Sequence, residues 1–82
     1  MTDTPTETLD VKGEACPMPV VKTKQSVDDL GAGEVLEVHA TDSGSVSDID
    51  GWAAGTPGVT LVDQAETDDG GETVYVHRVR VE

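Results

Sequence analysis

The stretch LDVKGEACPMP, residues 9–19, decides how the first half of the chain folds. Apolar and polar residues alternate in a strand pattern that stops at Gly13, and a helical period begins at Pro17. Pro17 and Pro19 are tolerated together only in the first turn of a helix, where backbone N–H groups have no intrahelical partner. The sequence therefore predicts a strand, a tight loop and a helix that begins immediately after Cys16.

The rest of the chain carries further helical and strand patterns. Gly31 and Gly33 supply a stop for the first helix. Ser45 stands three residues ahead of Asp48, which resembles a capping box with Asp in place of Glu and predicts the start of a second helix. The predicted elements after the first strand are a helix at 17–30, a strand at 34–40, a helix from 45 to a stop at Gly55, a strand at 59–62, an acidic loop at 66–72 and a strand at 73–81.

The order βαβαββ predicts an α/β (α+β) fold in two layers. A strand, helix and strand in succession form a right-handed unit, so the first two strands are expected to be parallel. The two helices are expected to cover one face of a four-stranded mixed sheet, as a two-layer sandwich. In the last strand Val74 and Val76 share one face while Val79 and Val81 share the other. Either a bulge near His77 or burial of both faces is expected there.

Length and charge limit the classes of function. A chain of 82 residues holds one domain with a modest core, so function is expected on its surface. Residues 1–6 (MTDTPT) predict a disordered tail, and residues 7–82 form the predicted domain. The 17 acidic and 5 basic residues give a net charge of −12, which disfavours direct nucleic-acid binding because phosphate contacts need Lys and Arg. The dispersed acidic excess predicts a halophilic protein, since high salt screens like-charge repulsion, and the alternative is an acidic protein of an ordinary cytoplasm.

Neither a targeting signal nor a membrane span is expected from the sequence. The first ten residues, MTDTPTETLD, are polar and acidic, and no apolar segment approaches the length that a bilayer requires. A soluble cytoplasmic protein without a membrane partner is therefore expected. A monomer is also expected.

Cys16 is the only cysteine, so an internal disulfide, a CxxC pair and a cysteine-based four-ligand zinc site are excluded. At the start of a helix its thiolate is favoured by the helix dipole by about 0.3–2 kcal/mol, which is expected to lower the pKa of the thiol toward neutrality. Lys12, Lys22 and Lys24 are close to this loop in sequence and favour the thiolate, whereas Glu14 opposes it. The three lysines also predict a docking patch for an acidic partner.

A single acidic thiol of this kind is suited to sulfur carriage as Cys16–S–SH, because a persulfide forms reversibly and its outer sulfur passes to another thiolate. A cysteine hydrolase would need an orienting base, and the sequence places neither His39 nor His77 beside the loop. Cys16, His39 and Asp42 match no metal-ligand spacing, so no metal or cofactor is expected. The alternative is a non-catalytic redox-sensing or regulatory interaction module whose cysteine pairs with another molecule's thiol.

Three stretches together resemble the TusA/SirA-like sulfur carriers. They are LDVKGEACPMP at 9–19, GEVLEV at 33–38 and TDSGSVSDIDGWA at 41–53. The resemblance implies the βαβαββ fold, a persulfide on Cys16, Pro17 and Pro19 as the motif prolines, and Asp42 as the acidic residue after the second strand. It also implies a cysteine desulfurase or rhodanese-like sulfur donor and a protein acceptor, with tRNA thiolation as one destination.

Some residues depart from the family pattern or have simpler interpretations. Ser43 stands where Pro is common in the family, and Glu14 stands where Leu is common. Asp42 also fits an ordinary turn or capping residue. Ile49 and Trp52 fit the buried side of the second helix. Both a catalytic sulfurtransferase and a stoichiometric carrier are compatible with these residues.

Overall fold

The computed structural model describes residues 5–15 and 17–82, so residues 1–4 and Cys16 lie outside the described residues. The order of elements confirms the predicted βαβαββ arrangement. The elements are β1 (Glu7–Val11), α1 (Met18–Asp28), β2 (Val35–Ala40), α2 (Ser45–Ala54), β3 (Val59–Asp69) and β4 (Glu72–Val81). Just before β1, the Thr6 backbone N–H donates to the Val35 carbonyl at 2.7 Å. Neither described helix has the length and hydropathy needed to span a bilayer.

The four strands form one mixed sheet in the order β1-β2-β4-β3. Strands β1 and β2 are parallel, as predicted, with Val11 opposite Ala40. Strand β4 runs antiparallel to both of its neighbours, and Tyr75 lies opposite Ala40. The carboxyl ends of β1 and β2 therefore meet at one edge of the sheet, beside the amino-terminal half of β4.

The core lies between the sheet and the two helices. Val27 of α1 and Ile49 of α2 pack with buried sheet residues, and Trp52 packs against this cluster. The prediction that Ile49 and Trp52 belong to the core is therefore confirmed. Full burial of one such aliphatic side chain stabilises the fold by about 1.5–3 kcal/mol. The sheet residues of the cluster are Val11, Leu36, Val38 and Ala40.

The predicted capping box at Ser45 is wrong. Gly44 occupies the N-cap position of α2 without a side-chain capping bond, and Ser45 is the first helical residue. The hydroxyl of Ser45 is instead directed inward, where it meets His77 Nε2 at 3.0 Å. The Ser45 hydroxyl therefore bonds to a buried imidazole and does not cap the helix.

The predicted acidic loop at 66–72 is also wrong, because β3 continues to Asp69 and β4 begins at Glu72. A two-residue turn joins the strands, with positive φ angles of 62° at Gly70 and 90° at Gly71. Two glycines in this conformation suit a tight hairpin whose twist matches that of its strands. In the sheet formed by residues 5–15 and 17–82, the outer part of β3 lies at the edge, paired with β4, and is exposed, so it lacks the apolar alternation that marks a half-buried strand.

The irregular pattern of the last strand comes from burial of both faces. Strand β4 keeps a regular register with β2 from Tyr75 to Arg80, so the irregularity expected near His77 is not in β4 itself but in the strand opposite Arg78 and Val79. The register shift lies in β3, between Leu61 and Asp63. Val74 is 3% exposed and Val79 is fully buried, although an odd separation places them on opposite faces of β4. This outcome confirms the second of the two expectations.

Helix α1 begins after the cysteine, as predicted, but it is shorter than 17–30. Its helical residues run from Met18 to Asp28, and Asp29 is the C-cap residue. The Leu30 backbone N–H still donates to the Val27 carbonyl at 3.0 Å. The final turn is therefore tighter than an α-helix, which explains the early end of the assigned helix.

Candidate functional site

The loop between β1 and α1 carries the single cysteine. Cys16 itself lies outside the described residues, but both of its neighbours, Ala15 and Pro17, are exposed. The loop leaves the sheet through Gly13, whose φ of +83° is readily adopted only by glycine. The Met18 N–H donates to the Ala15 carbonyl at 3.0 Å, so a hydrogen bond spans the cysteine position and joins the loop to the helix.

The two prolines define the start of α1. Pro17 occupies the N-cap position and Pro19 lies in the first turn. The Pro17 carbonyl accepts the Val21 N–H at 3.0 Å, which is the first i to i−4 bond of the helix. Pro19 is buried and its carbonyl also accepts the Thr23 hydroxyl at 2.7 Å. Backbone N–H groups in the first turn of a helix have no partner within the helix, and proline has no N–H. Pro17 and Pro19 therefore leave no backbone donor unsatisfied at these positions.

The lysines near the loop differ in their ion pairs. Lys22 forms a salt bridge with Glu14, and Lys12 Nζ lies 4.0 Å from Asp10 Oδ2. Within residues 5–15 and 17–82, Lys24 has no ion pair and its side chain is exposed. Glu14 is therefore paired with Lys22 at the base of the loop, and Lys24 lies two residues further along α1.

A second loop lies beside the cysteine loop, between β2 and α2. The Gly13 N–H donates to Thr41 Oγ1 at 2.9 Å, across 28 residues of sequence. Asp42 follows Thr41, and its carboxylate accepts the Gly44 N–H at 3.1 Å. Its carbonyl also accepts the Ser45 N–H at 3.0 Å. Asp42 therefore serves as a turn residue at the start of α2, at the sheet edge from which the cysteine loop also departs.

A buried hydrogen-bond network, which sequence reasoning missed, holds the start of α2 to the sheet. His77 is fully buried, and burial lowers its pKa to about 4. The Gln64 side-chain amide donates to His77 Nδ1 at 3.0 Å and to the Val46 carbonyl at 2.9 Å. With Nδ1 as an acceptor, Nε2 carries the hydrogen and donates to Ser45 Oγ at 3.0 Å. The available sequence signal was that His77 shares a face with the core residue Val79.

The other histidine belongs to the opposite face of the sheet. His39 Nε2 donates to Glu37 Oε2 at 2.7 Å, and Arg78 Nε donates to Glu37 Oε1 at 2.9 Å. Hydrogen bonds from His39 and from Arg78 hold the pKa of Glu37 below its usual value. As predicted, His39 shares a face with Glu37, and neither histidine is part of the cysteine loop.

The surface beside the cysteine loop is partly apolar. Met18 and Val21 are 39% and 38% exposed, and they are the large hydrophobic residues most open to solvent among the described residues. A separation of three residues places them on one side of the first turns of α1. Sequence reasoning missed this pair because the same spacing is typical of a core-facing helix.

The fold and the loop define a small two-layer α/β domain with one cysteine at the start of a helix. A family model described as Sulfurtransferase TusA matches residues 7–80. A Halobacterium salinarum protein provisionally named as a sulfur carrier is 72% identical over 75 residues, covering 92% of this chain and 88% of the relative. The sulfur carrier protein TusA of Allochromatium vinosum is 44% identical over 48 residues, covering 58% of this chain and 63% of the relative.

A solved structure supports the same assignment. The crystal structure of a SirA-like protein from Desulfitobacterium hafniense matches with a TM-score of 0.70 and 26% identity, covering 94% of this chain and 100% of the other. The chain belongs to the TusA family of sulfurtransferases. The resemblance found in the sequence and the predicted fold class are both confirmed.

Proposed function

We propose that this protein is a sulfur carrier that holds a persulfide on Cys16 and relays its outer sulfur between two partner proteins. The observation that carries the proposal is the position of Cys16 between two exposed residues, directly before the start of α1. Membership of the TusA family supports the same chemistry. Pro17 and Pro19 contribute by fixing where the helix begins, and therefore where the cysteine stands relative to its dipole.

The relay consists of two balanced transfers. In the first, the Cys16 thiolate attacks the outer sulfur of a donor persulfide, an S–S bond forms on Cys16, and the donor leaves as a thiolate. In the second, an acceptor thiolate attacks the outer sulfur, and the Cys16 thiolate is released. Neither transfer needs an added oxidant or reductant, because one S–S bond breaks as another forms.

The start of α1 assists both transfers. The helix dipole favours negative charge at this end by about 0.3–2 kcal/mol, which stabilises the thiolate that attacks and the thiolate that leaves. A thiol of lower pKa is a better leaving group, and its loss of nucleophilicity is only partial. The effect is therefore larger for delivery of the sulfur than for its receipt.

Partner proteins are proposed to dock on the surface beside the loop. The sequence suggested Lys12, Lys22 and Lys24 as the docking patch. In the structure Lys12 lies beside the carboxylate of Asp10, and Lys22 forms a salt bridge with Glu14. Lys24 is therefore proposed to supply the attraction for an acidic partner, with Met18 and Val21 as the apolar contact. The Lys22–Glu14 pair would then border this surface. Asp42, at the same edge of the sheet, is proposed to shape the site from the second loop.

The proposed donor is a cysteine desulfurase or a rhodanese-like protein, and tRNA thiolation is one proposed destination of the sulfur. We place the relay in the cytoplasm, where thiols remain reduced, and propose that the protein acts as a monomer. The net charge of −12 supports a setting of high salt, in which neighbouring carboxylates repel each other less.

Intact mass after incubation with a cysteine desulfurase and cysteine tests the relay. Wild type is expected to gain the mass of one sulfur, which dithiothreitol removes, whereas Cys16→Ala is expected to gain none. An equal gain on both proteins, or no gain from an active donor, would refute the persulfide. A mixed disulfide with glutathione and no bound sulfur would instead favour the redox-sensing alternative.

A further inference from the structure

His77 lies at the centre of a path that runs from strand β3 to the cysteine loop. Gln64 of β3 donates to one imidazole nitrogen, and the other nitrogen donates to Ser45 at the start of α2. The distances are 3.0 Å on both sides, and His77 and Ser45 are 0% and 1% exposed. One buried side chain thus joins α2, β3 and β4.

The path continues from Ser45 through the loop between β2 and α2 to the cysteine loop. The Ser45 N–H donates to the Asp42 carbonyl at 3.0 Å, which closes the turn that follows Thr41. The Thr41 hydroxyl then accepts the Gly13 N–H at 2.9 Å. Gly13 is three residues from Cys16, and its positive φ sets the direction in which the loop leaves β1.

A neutral imidazole is well suited to this position. It presents one acceptor and one donor at a fixed separation, and here it satisfies a donor on one side and an acceptor on the other. No buried side-chain polar atom among the described residues lacks a hydrogen-bond partner. An apolar residue of similar size would leave Gln64 and Ser45 each without this contact.

We propose that His77 is a positioning residue for sulfur transfer, acting through Ser45 and Thr41 on the loop that carries Cys16. This inference rests on the proposed function and adds to it a buried residue of β4. His77 does not touch the reacting sulfur. Its neutral imidazole sets the start of α2, and the start of α2 sets the position of Thr41.

A small-molecule assay tests the proposal without an effect from protein docking. Glutathione persulfide loads Cys16, and cyanide then removes the outer sulfur as thiocyanate. The variants are His77→Leu, Thr41→Val and the double variant. Each single change is expected to slow transfer between about tenfold and a hundredfold, since small misplacements have effects of this size. Because both residues act along one path, the double variant should be no slower than the slower single variant.

Two further variants separate positioning from stability. Val79→Ala removes buried methyl groups on the same face of β4 while leaving the imidazole contacts in place, and it should destabilise the fold without slowing transfer. Should His77→Leu not fold, Ser45→Ala removes the acceptor of the Nε2–H with little change in volume. It should slow transfer to the same extent, and it should move the NMR signal of the imidazole Nε2–H.

Three results would overturn the inference: transfer at the wild-type rate in folded His77→Leu or Ser45→Ala, equal slowing in Val79→Ala, or additive losses in the double variant. The proposed function fails in a different way. If wild-type Cys16 takes up no sulfur from glutathione persulfide or from a protein donor, both proposals are refuted together.

Discussion

Acid conditions should destabilise this protein through a single buried side chain. His77 has no exposed surface, and burial lowers its pKa from 6.5 to about 4. Between these two values the unfolded chain binds a proton that the folded protein excludes. Since the unfolded state binds more protons, the free energy of unfolding falls as the pH falls through this window. The stabilising contribution is complete above about pH 6.5 and is lost by about pH 4.

The size of the effect follows from the two pKa values. The interval from 6.5 to about 4, at about 1.4 kcal/mol for each pH unit, gives a total of about 3–4 kcal/mol. Most of this loss falls above pH 5, so lowering the pH from 7.5 to 5 should decrease the free energy of unfolding by about 2 kcal/mol. A loss of this size is a large share of the stability of a small domain.

Urea unfolding at a fixed high salt concentration measures the loss. Trp52, the only tryptophan, packs against the core and provides the fluorescence signal. The matched comparison is His77→Gln, whose amide keeps one donor and one acceptor but does not titrate. A second control, His39→Gln, removes the histidine on the opposite face. If wild type and His77→Gln lose the same stability between pH 7.5 and 5, burial of His77 is not the cause and the reasoning is wrong.

Three further predictions concern other parts of the molecule. Gly71→Ala places a Cβ at a φ of +90°, so the urea midpoint should fall by an amount equivalent to about 1 kcal/mol, and an unchanged midpoint would contradict the tight turn. Val21→Ser should remove about 1 kcal/mol of apolar contact with a protein sulfur donor and so raise the KM for that donor about fivefold. Because Val21 is exposed, the same change should leave the urea midpoint nearly constant. If Val21→Ser and wild type have the same KM, the donor does not dock on the surface around Val21. Raising the KCl concentration from 0.1 M to about 2 M should raise the urea midpoint, because salt screens the repulsion among 17 acidic residues that only 5 basic residues offset. A urea midpoint that does not depend on salt would contradict the prediction of a halophilic protein.

The order of elements and the start of α1 were predictable from the sequence because local rules govern them. Two prolines within three residues fit only the first turn of a helix, so the chain around Cys16 needed no tertiary information. Apolar periodicity likewise located the strands and identified Ile49 and Trp52 as core residues. The order of the elements then predicted the mixed sheet. Cys16 was itself a candidate from the sequence alone, because it is the only thiol in the chain.

The tertiary structure decided which groups meet across the fold. Ser45 had the local pattern of a helix cap, but a histidine 32 residues away is its partner in the core. The outer half of β3 had the composition of a loop, and pairing with β4 together with the Gly70–Gly71 turn makes it a strand. The bond from Gly13 to Thr41 also depends on two parallel strands ending side by side. The contacts of Ser45 with His77 and of Gly13 with Thr41 join residues 32 and 28 positions apart, and no local pattern of residues records which distant partner a group meets.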